Sequence, residues 1–202
     1  MFSRHAFSRP AFSRSARSFA ALALAAGLLT GCQSVTRALE SPEQNSGPCP
    51  SALSLYDAHR LVELNGDEVV YENIGFTGEI LAVRSLCSYF GERPILANLE
   101  LDMGFGRGPA AMGEAHTYEY FVAITRRDMA VIDKQVFPVT VRFEPGEDRV
   151  FLTETIDAIS IPRANAETSG VNFEIIVGFE LTPEQLEYNR SGQRFRVSAG
   201  QE

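Results

Sequence analysis

Residues 95–105 read ILANLELDMGF, with Ile95, Ala97, Leu99, Leu101, Met103 and Phe105 separated by Leu96, Asn98, Glu100, Asp102 and Gly104. Successive side chains of an extended chain point to opposite faces, so this stretch predicts a strand with one face in a core. Residues 171–181, VNFEIIVGFEL, repeat the period with Val171, Phe173, Ile175, Val177, Phe179 and Leu181. Residues 77–90, 118–127, 130–143 and 148–161 are further runs rich in the β-branched and aromatic side chains that fill a pleated surface.

Turn chemistry separates these runs as a meander requires. Asn65-Gly66 suits a tight hairpin between residues 60–64 and 67–71, and Pro145-Gly146 links the run ending at Phe143 to the one starting at Asp148. Residues 165–170 form another polar loop, and Pro138 inside a strand marks an edge or a bulge. The chain shows no helical period of 10–15 residues between the strands. The expected class is therefore all-β: an antiparallel β-sandwich of about seven strands, immunoglobulin- or fibronectin-like by analogy only, since the chain has no Trp. One short C-terminal helix follows Leu181. Thr182 caps it, Pro183 suits its first position, Gln185 completes a capping box, Ser191-Gly192 ends it, and Leu186 with Tyr188 would plug one end of the sandwich.

The 202 residues carry 45% hydrophobic and 22% charged side chains, a balance that supports a sizeable core and not a disordered chain. With 18 Lys and Arg against 26 Asp and Glu, the chain lacks the basic footprint that a phosphate backbone attracts, and nucleic acid is not an expected partner.

Residues 1–18 contain Arg4, Arg9, Arg14 and Arg17 and no acid, and residues 19–29 are an unbroken small apolar stretch. That stretch is well short of the roughly 20 residues a membrane-spanning helix needs, so it reads as the apolar core of a cleaved signal peptide. Leu29-Thr30-Gly31-Cys32 comes directly after it and resembles the lipobox of bacterial lipoproteins. The resemblance implies cleavage before Cys32 and palmitate-type acyl chains on its new N-terminus. Each buried CH₂ adds about 0.8 kcal/mol of membrane affinity, so several chains hold durably. Gln33, where some bacteria place an Asp for inner-membrane retention, implies the outer membrane, with the domain on its periplasmic face. No twin arginine precedes the apolar stretch, which favours general secretion. Cleavage removes four Arg and no acid, leaving 14 basic and 26 acidic residues and a net charge of −12. The expected organisation is a signal peptide over 1–31, an acylated Cys and flexible tether over 32–48, and the sandwich domain over 49–202. In its entirety the chain resembles uncharacterised β-sandwich envelope lipoproteins, a likeness that implies an address and no activity.

With Cys32 acylated, Cys49 and Cys87 remain as a pair in an oxidising compartment, and a disulfide between them is expected. Neither lies in a C-x-x-C motif, so its role is structural.

Chemistry is sparse. His59 and His116 are the two imidazoles left after cleavage; Asp57 and Glu114 share their respective strand faces, so a two-His, two-carboxylate metal site forms if the segments meet. No G-x-S-x-G or S-x-x-K occurs, and residues 104–109, GFGRGP, lack the Lys-Ser or Lys-Thr of a phosphate loop. They read as a flexible strand end continuing through Met112-Gly113, with Phe105, Arg107 and Met112 as candidate binding residues. No catalytic set and no cofactor are expected. The function these features favour is a non-enzymatic, lipid-anchored envelope protein that binds another envelope protein or supports envelope organisation. The alternatives are a metal-dependent envelope hydrolase using His59, His116 and nearby acids, or a small-ligand or peptide-binding module.

Overall fold

The alternation of residues 95–105 becomes one long central strand, and the molecule is organised on it. The structure, a computed structural model, describes residues 47–127 and 130–192, so the leader, Cys32 and all of the tether up to residue 46 lie outside the described residues. Eight strands are present: β1 (Ser51–Ser54), β2 (Arg60–Leu64), β3 (Ile74–Ser88), β4 (Ile95–Arg107), β5 (Ala115–Arg126), β6 (Val131–Arg142), β7 (Arg149–Ile161) and β8 (Phe173–Phe179), followed by α1 (Pro183–Arg190). They form two four-stranded sheets in the orders β1-β8-β5-β6 and β2-β3-β4-β7.

Ile95, Ala97, Leu99, Leu101, Met103 and Phe105 are all 0% exposed, the outcome their period predicts. From the facing sheet Ile175, Val177 and Phe179 on β8 join Tyr118, Val139 and Val141 in the same core. Each large apolar side chain removed from water in this way stabilises the fold by roughly 1.5–3 kcal/mol. Val171 falls outside β8, in a 3-10 turn over Gly170–Asn172, and is exposed.

Four local features differ from the sequence expectation. The ladders are antiparallel except one, where β1 runs parallel to β8 with Ser51 opposite Glu174. Asn65-Gly66 does not turn into a strand over residues 67–71. Those residues stay exposed, Val69, Val70 and Tyr71 included, whereas β3 buries Ile74, Phe76 and Ile80; β2 pairs with β3, and the backbone N–H of Asn65 donates to the carbonyl of Asn73 at 2.8 Å. Pro145-Gly146 does form a turn, with Gly146 at φ 90°, but it carries the chain from one sheet to the other and leaves β6 and β7 unpaired with each other. The immunoglobulin likeness thus extends to the two-sheet architecture and not to strand order: the last two strands, β7 and β8, belong to different sheets here, and to one sheet there.

The fourth concerns α1. Its capping box is formed, with the Gln185 N–H donating to Thr182 Oγ1 at 3.2 Å and the Thr182 N–H donating to Gln185 Oε1 at 2.9 Å. Its buried residue is polar: Asn189 Nδ2 donates to the carbonyls of Asp57 and Arg60, both at 2.8 Å, while Leu186 and Tyr188 are half-buried. The helix therefore lies along β2, where Gln185 Nε2 also reaches the carbonyl of Val62 at 3.4 Å, and does not plug an end of the sandwich.

Cys49 and Cys87 form a disulfide with their Cα atoms 5.7 Å apart. Beside it the Tyr89 hydroxyl donates to the carbonyl of Pro48 at 2.8 Å and accepts from the Gly170 N–H at 3.2 Å, beneath the Arg163 guanidinium. The first described residues are thereby pinned to the end of the sandwich that holds the β3/β4 turn and the β7/β8 loop. The loop after Arg107 is at the opposite end, because Phe76 at the start of β3 pairs with Arg107 and Ser88 at its end pairs with Leu96.

Candidate interaction site

The imidazoles and acids read from the sequence take separate partners. His59 Nδ1 donates to the carbonyl of Tyr56 at 2.6 Å, and Asp57 pairs with Arg190 at 3.2 Å. His116 Nε2 lies 3.2 Å from Glu63, with its ring stacked on Phe76 at 4.4 Å and edge-on to Tyr118 at 4.5 Å; Glu114 faces Arg142 instead. Among the described residues no three His, Cys, Asp or Glu side chains come together as a metal site, so the proposed two-His, two-carboxylate cluster is not assembled. Adjacent to His116, the Tyr118 hydroxyl is buried without a hydrogen-bond partner among the described residues, and burial, then the Glu63 carboxylate, push its pKa well above the usual phenol value.

The glycine-rich stretch also differs from its expectation. Gly104 and Gly106 are strand residues, and Phe105 is 0% exposed, packed on Tyr118 and Phe179; it belongs to the core and cannot touch a partner. The Phe151 ring of the neighbouring strand covers Gly104: a Cβ there would stand 3.0 Å from that ring. Arg107 is half-buried, its Nε donating to the carbonyl of Gly113 at 3.0 Å, and Met112 is 80% exposed. The loop is tied down. Gly108 N–H donates to the carbonyl of Gly75, Ala110 N–H to that of Ile74, and Asn65 Nδ2 to that of Ala110. Gly108 is required at this point, since a Cβ would lie 2.2 Å from the Ile74 carbonyl oxygen.

A sandwich has four sheet edges, and each leaves backbone groups that must be paired, covered or protected. Here β1 has four residues, and α1 covers β2. The remaining edges, β6 and β7, are 12 and 13 residues long, carry no cover among the described residues and lie on the same flank of the two sheets. Pro138 lies on β6, as an edge position allows.

Between these two edges the sandwich is open, in a cleft of about 380 Å³. The cause is visible in β6. Its core-facing positions are Phe137, Val139 and Val141 toward the C-terminal end, but Asp133 and Gln135 toward the N-terminal end, and residues 131–136 are exposed on both faces. Polar side chains at inner positions cannot close against the opposite sheet. Val122, Ile124 and Phe137 of one sheet and Ile156 and Ile159 of the other form the apolar floor; Asp133, Gln135, Asp157 and Ser160 form the lips. Ala158, also on the rim, sits in a bulge opposite Asn98 and has φ 58°, in the left-handed region, with its N–H held by Asn98 Oδ1 at 3.0 Å. Backbone strain of this kind clusters at binding sites.

A second, larger depression of about 560 Å³ lies on the outer face of the other sheet, among Arg84, Leu86, Asn98 and Glu100. It lies on inner strands paired on both sides apart from the bulge opposite Asn98, and Arg84 is engaged by Glu100 and Asp102 at 2.5 and 2.7 Å. The β6/β7 flank offers what that face lacks, unpaired backbone next to an apolar floor. Sequence reasoning found this flank only through Pro138; the further signal was the pair of polar residues, Asp133 and Gln135, in register with Phe137 and Val139. Comparison of the chain with protein-family models, curated proteins and solved structures finds no match.

Proposed function

We propose that this chain is a non-enzymatic envelope lipoprotein, anchored at the outer membrane through acyl chains on Cys32, whose sandwich binds another envelope protein along the β6/β7 flank. The observation that carries the binding half is the pair of long uncovered edges around an open apolar cleft. Edge strands pair with added strands through their own backbone, and apolar pockets beside them supply selectivity. The anchoring half rests on Leu29-Thr30-Gly31-Cys32 after an apolar stretch too short to span. No helix among the described residues is long and apolar enough to cross a membrane.

The test is photo-crosslinking in living cells, with probes at Gln135 and Ser160 on the lips and a comparison probe at Met112, combined with mass spectrometry of the membrane-extracted chain. The expected result is a protein adduct from the lip probes and an acylated N-terminal Cys32; Cys32→Ser should release the chain from membranes or leave it unprocessed. A mature chain that begins elsewhere removes the anchor. Adducts from Met112 alone move the binding surface to the loop after Arg107.

A further inference from the structure

The cleft between β6 and β7 has a sign as well as a shape. Asp133 stands on its β6 lip and Asp157 on its β7 lip, one carboxylate from each sheet, above the floor of Val122, Ile124 and Phe137 on one side and Ile156 and Ile159 on the other. Glu154 shares the inner face of β7 with Leu152 and Ile156, close enough to the buried Tyr120 to act on its hydroxyl. Among the described residues, none of these three carboxylates is in an ion pair. Asp133 is held by its own strand, with Oδ1 accepting from the Lys134 backbone N–H at 3.0 Å and Oδ2 from Gln135 Nε2 at 3.1 Å, but neither donor is a cation. The ammonium of Lys134, the single Lys of the chain, lies on the other face of β6, where it pairs with Glu180 and sits 4.5 Å over the Phe121 ring.

Like charges on the two lips oppose closure of the opening between them, and the charge that complements both is a cation. A metal ion does not fit. A hard cation such as calcium takes about six to eight oxygen ligands, whereas here two carboxylates stand over hydrocarbon, and among the described residues no three His, Cys, Asp or Glu side chains come together. Floor and carboxylates open into the same space, so an occupant must present its apolar part and its charge in line, one above the other. At about 380 Å³ the cleft is at the small end of ligand sites: it holds one compact apolar group, and the two acyl chains of a membrane lipid would overfill it.

We propose that the cleft binds a small amphiphilic amine, with its hydrocarbon on the floor between the sheets and its protonated nitrogen between Asp133 and Asp157. Gln135 and Ser160 supply further hydrogen-bonding groups beside the nitrogen, and Glu154 adds negative potential behind it. Charge-assisted hydrogen bonds at the edge of an apolar site are stronger than the same contacts on an open surface. A ligand of the same shape with a carboxylate in place of the amine meets three like charges. This goes beyond the reading of the flank as a protein-binding edge, because the ligand is held by side chains between the sheets and leaves the outward backbone of β6 and β7 unengaged.

The probes are adamantyl amine, adamantyl alcohol and adamantyl carboxylate, which share one compact hydrocarbon and differ in charge. Ligand-observed NMR titration against the membrane-extracted protein, with protein-free micelles as the blank, reads their affinities. The amine should bind with a Kd of about 1 mM or tighter, the alcohol about tenfold more weakly, and the carboxylate not measurably. Asp133→Asn with Asp157→Asn should bring the amine to the level of the alcohol, about a tenfold loss from two charge pairs, and leave the alcohol where it was. Both positions are exposed, so the double variant folds, and an unchanged thermal transition checks this. Absence of amine binding at about 1 mM, equal binding of the three probes, or an unaltered amine affinity in the double Asn variant overturns the proposal. If Gln135 and Ser160 crosslinkers capture a protein in cells while the amine fails to bind, the flank stands as a protein site and the amine site falls; amine binding without protein capture gives the reverse, and failure of both removes both.

Discussion

Ala158 is the one non-glycine residue with positive φ among the described residues, and replacing it should strengthen the protein. At φ 58° the Cβ of an L-residue crowds its own carbonyl, at a cost of about 1–2 kcal/mol. Glycine removes that crowding but surrenders more backbone freedom on folding, about 0.5–1 kcal/mol. The Ala158 methyl is exposed, so little burial is lost with it. The difference leaves Ala158→Gly more stable by about 0.5–1 kcal/mol, or roughly 1–4 °C in Tm for a domain of this size. Ala158→Val, which puts a β-branched side chain in the same conformation, should destabilise by more than about 1 kcal/mol. Urea unfolding of the oxidised protein measures both, with an unchanged m-value certifying that the same transition is compared. A neutral or destabilising Ala158→Gly together with a harmless Ala158→Val would show that the bulge is not strained, and the link between strain and the β6/β7 cleft would go with it.

Three further outcomes are expected. Removal of the Cys49–Cys87 bridge, whose residues are 38 apart in sequence, should lower stability by about 4 kcal/mol by loop entropy, read as the difference in urea midpoint between oxidised and reduced protein; coincident midpoints refute it. Asn189→Ala should cost about 1–3 kcal/mol because it strands two carbonyls beside β2, and more than Leu186→Ala at a half-buried site; the reverse order would mean that α1 is held by apolar contact. Burial and, secondarily, the Glu154 carboxylate push the Tyr120 hydroxyl up to about 12. A raised phenol contributes stability that is whole below the unfolded pKa of about 10 and is lost as pH rises from there through 12, so Tyr120→Phe should flatten the loss of stability between pH 10 and 12. An identical alkaline limb in the variant contradicts this.

What the sequence disclosed and what it withheld divide along a physical line. The strict period of residues 95–105 names six fully buried side chains, because alternation is a local property and one face of β4 is buried from end to end. The cap at Thr182 is equally local, since every atom of the capping box lies within four residues. Pairing is not local. Asn65-Gly66 has hairpin chemistry, but the better apolar face belonged to β3, and β2 took it. Gly104 and Gly106 read as a loop because glycine carries no period of its own, and the Phe151 ring that covers Gly104 comes from a strand some 45 residues later. The partner of His116 proved to be Glu63, across sheets, and not Glu114 just before its own strand. The cleft was hidden for the same reason: Asp133 and Gln135 look like solvent-face residues until the register with Phe137, Val139 and Val141 shows which way they point.

The disulfide has a mechanical meaning that follows from where its two ends sit. Cys49 precedes β1, which belongs to one sheet, and Cys87 lies in β3, an inner strand of the other. A pull arriving through Gly47 divides at Cys49 between the covalent link into β3 and the four-residue β1, which lies parallel to β8. Load is shared between both layers of the sandwich before any hydrogen-bonded ladder has to bear it alone. Cut the bridge, and the same pull falls first on the pairing of β1 with β8 and on the Tyr89 hydrogen bonds to Pro48 and Gly170.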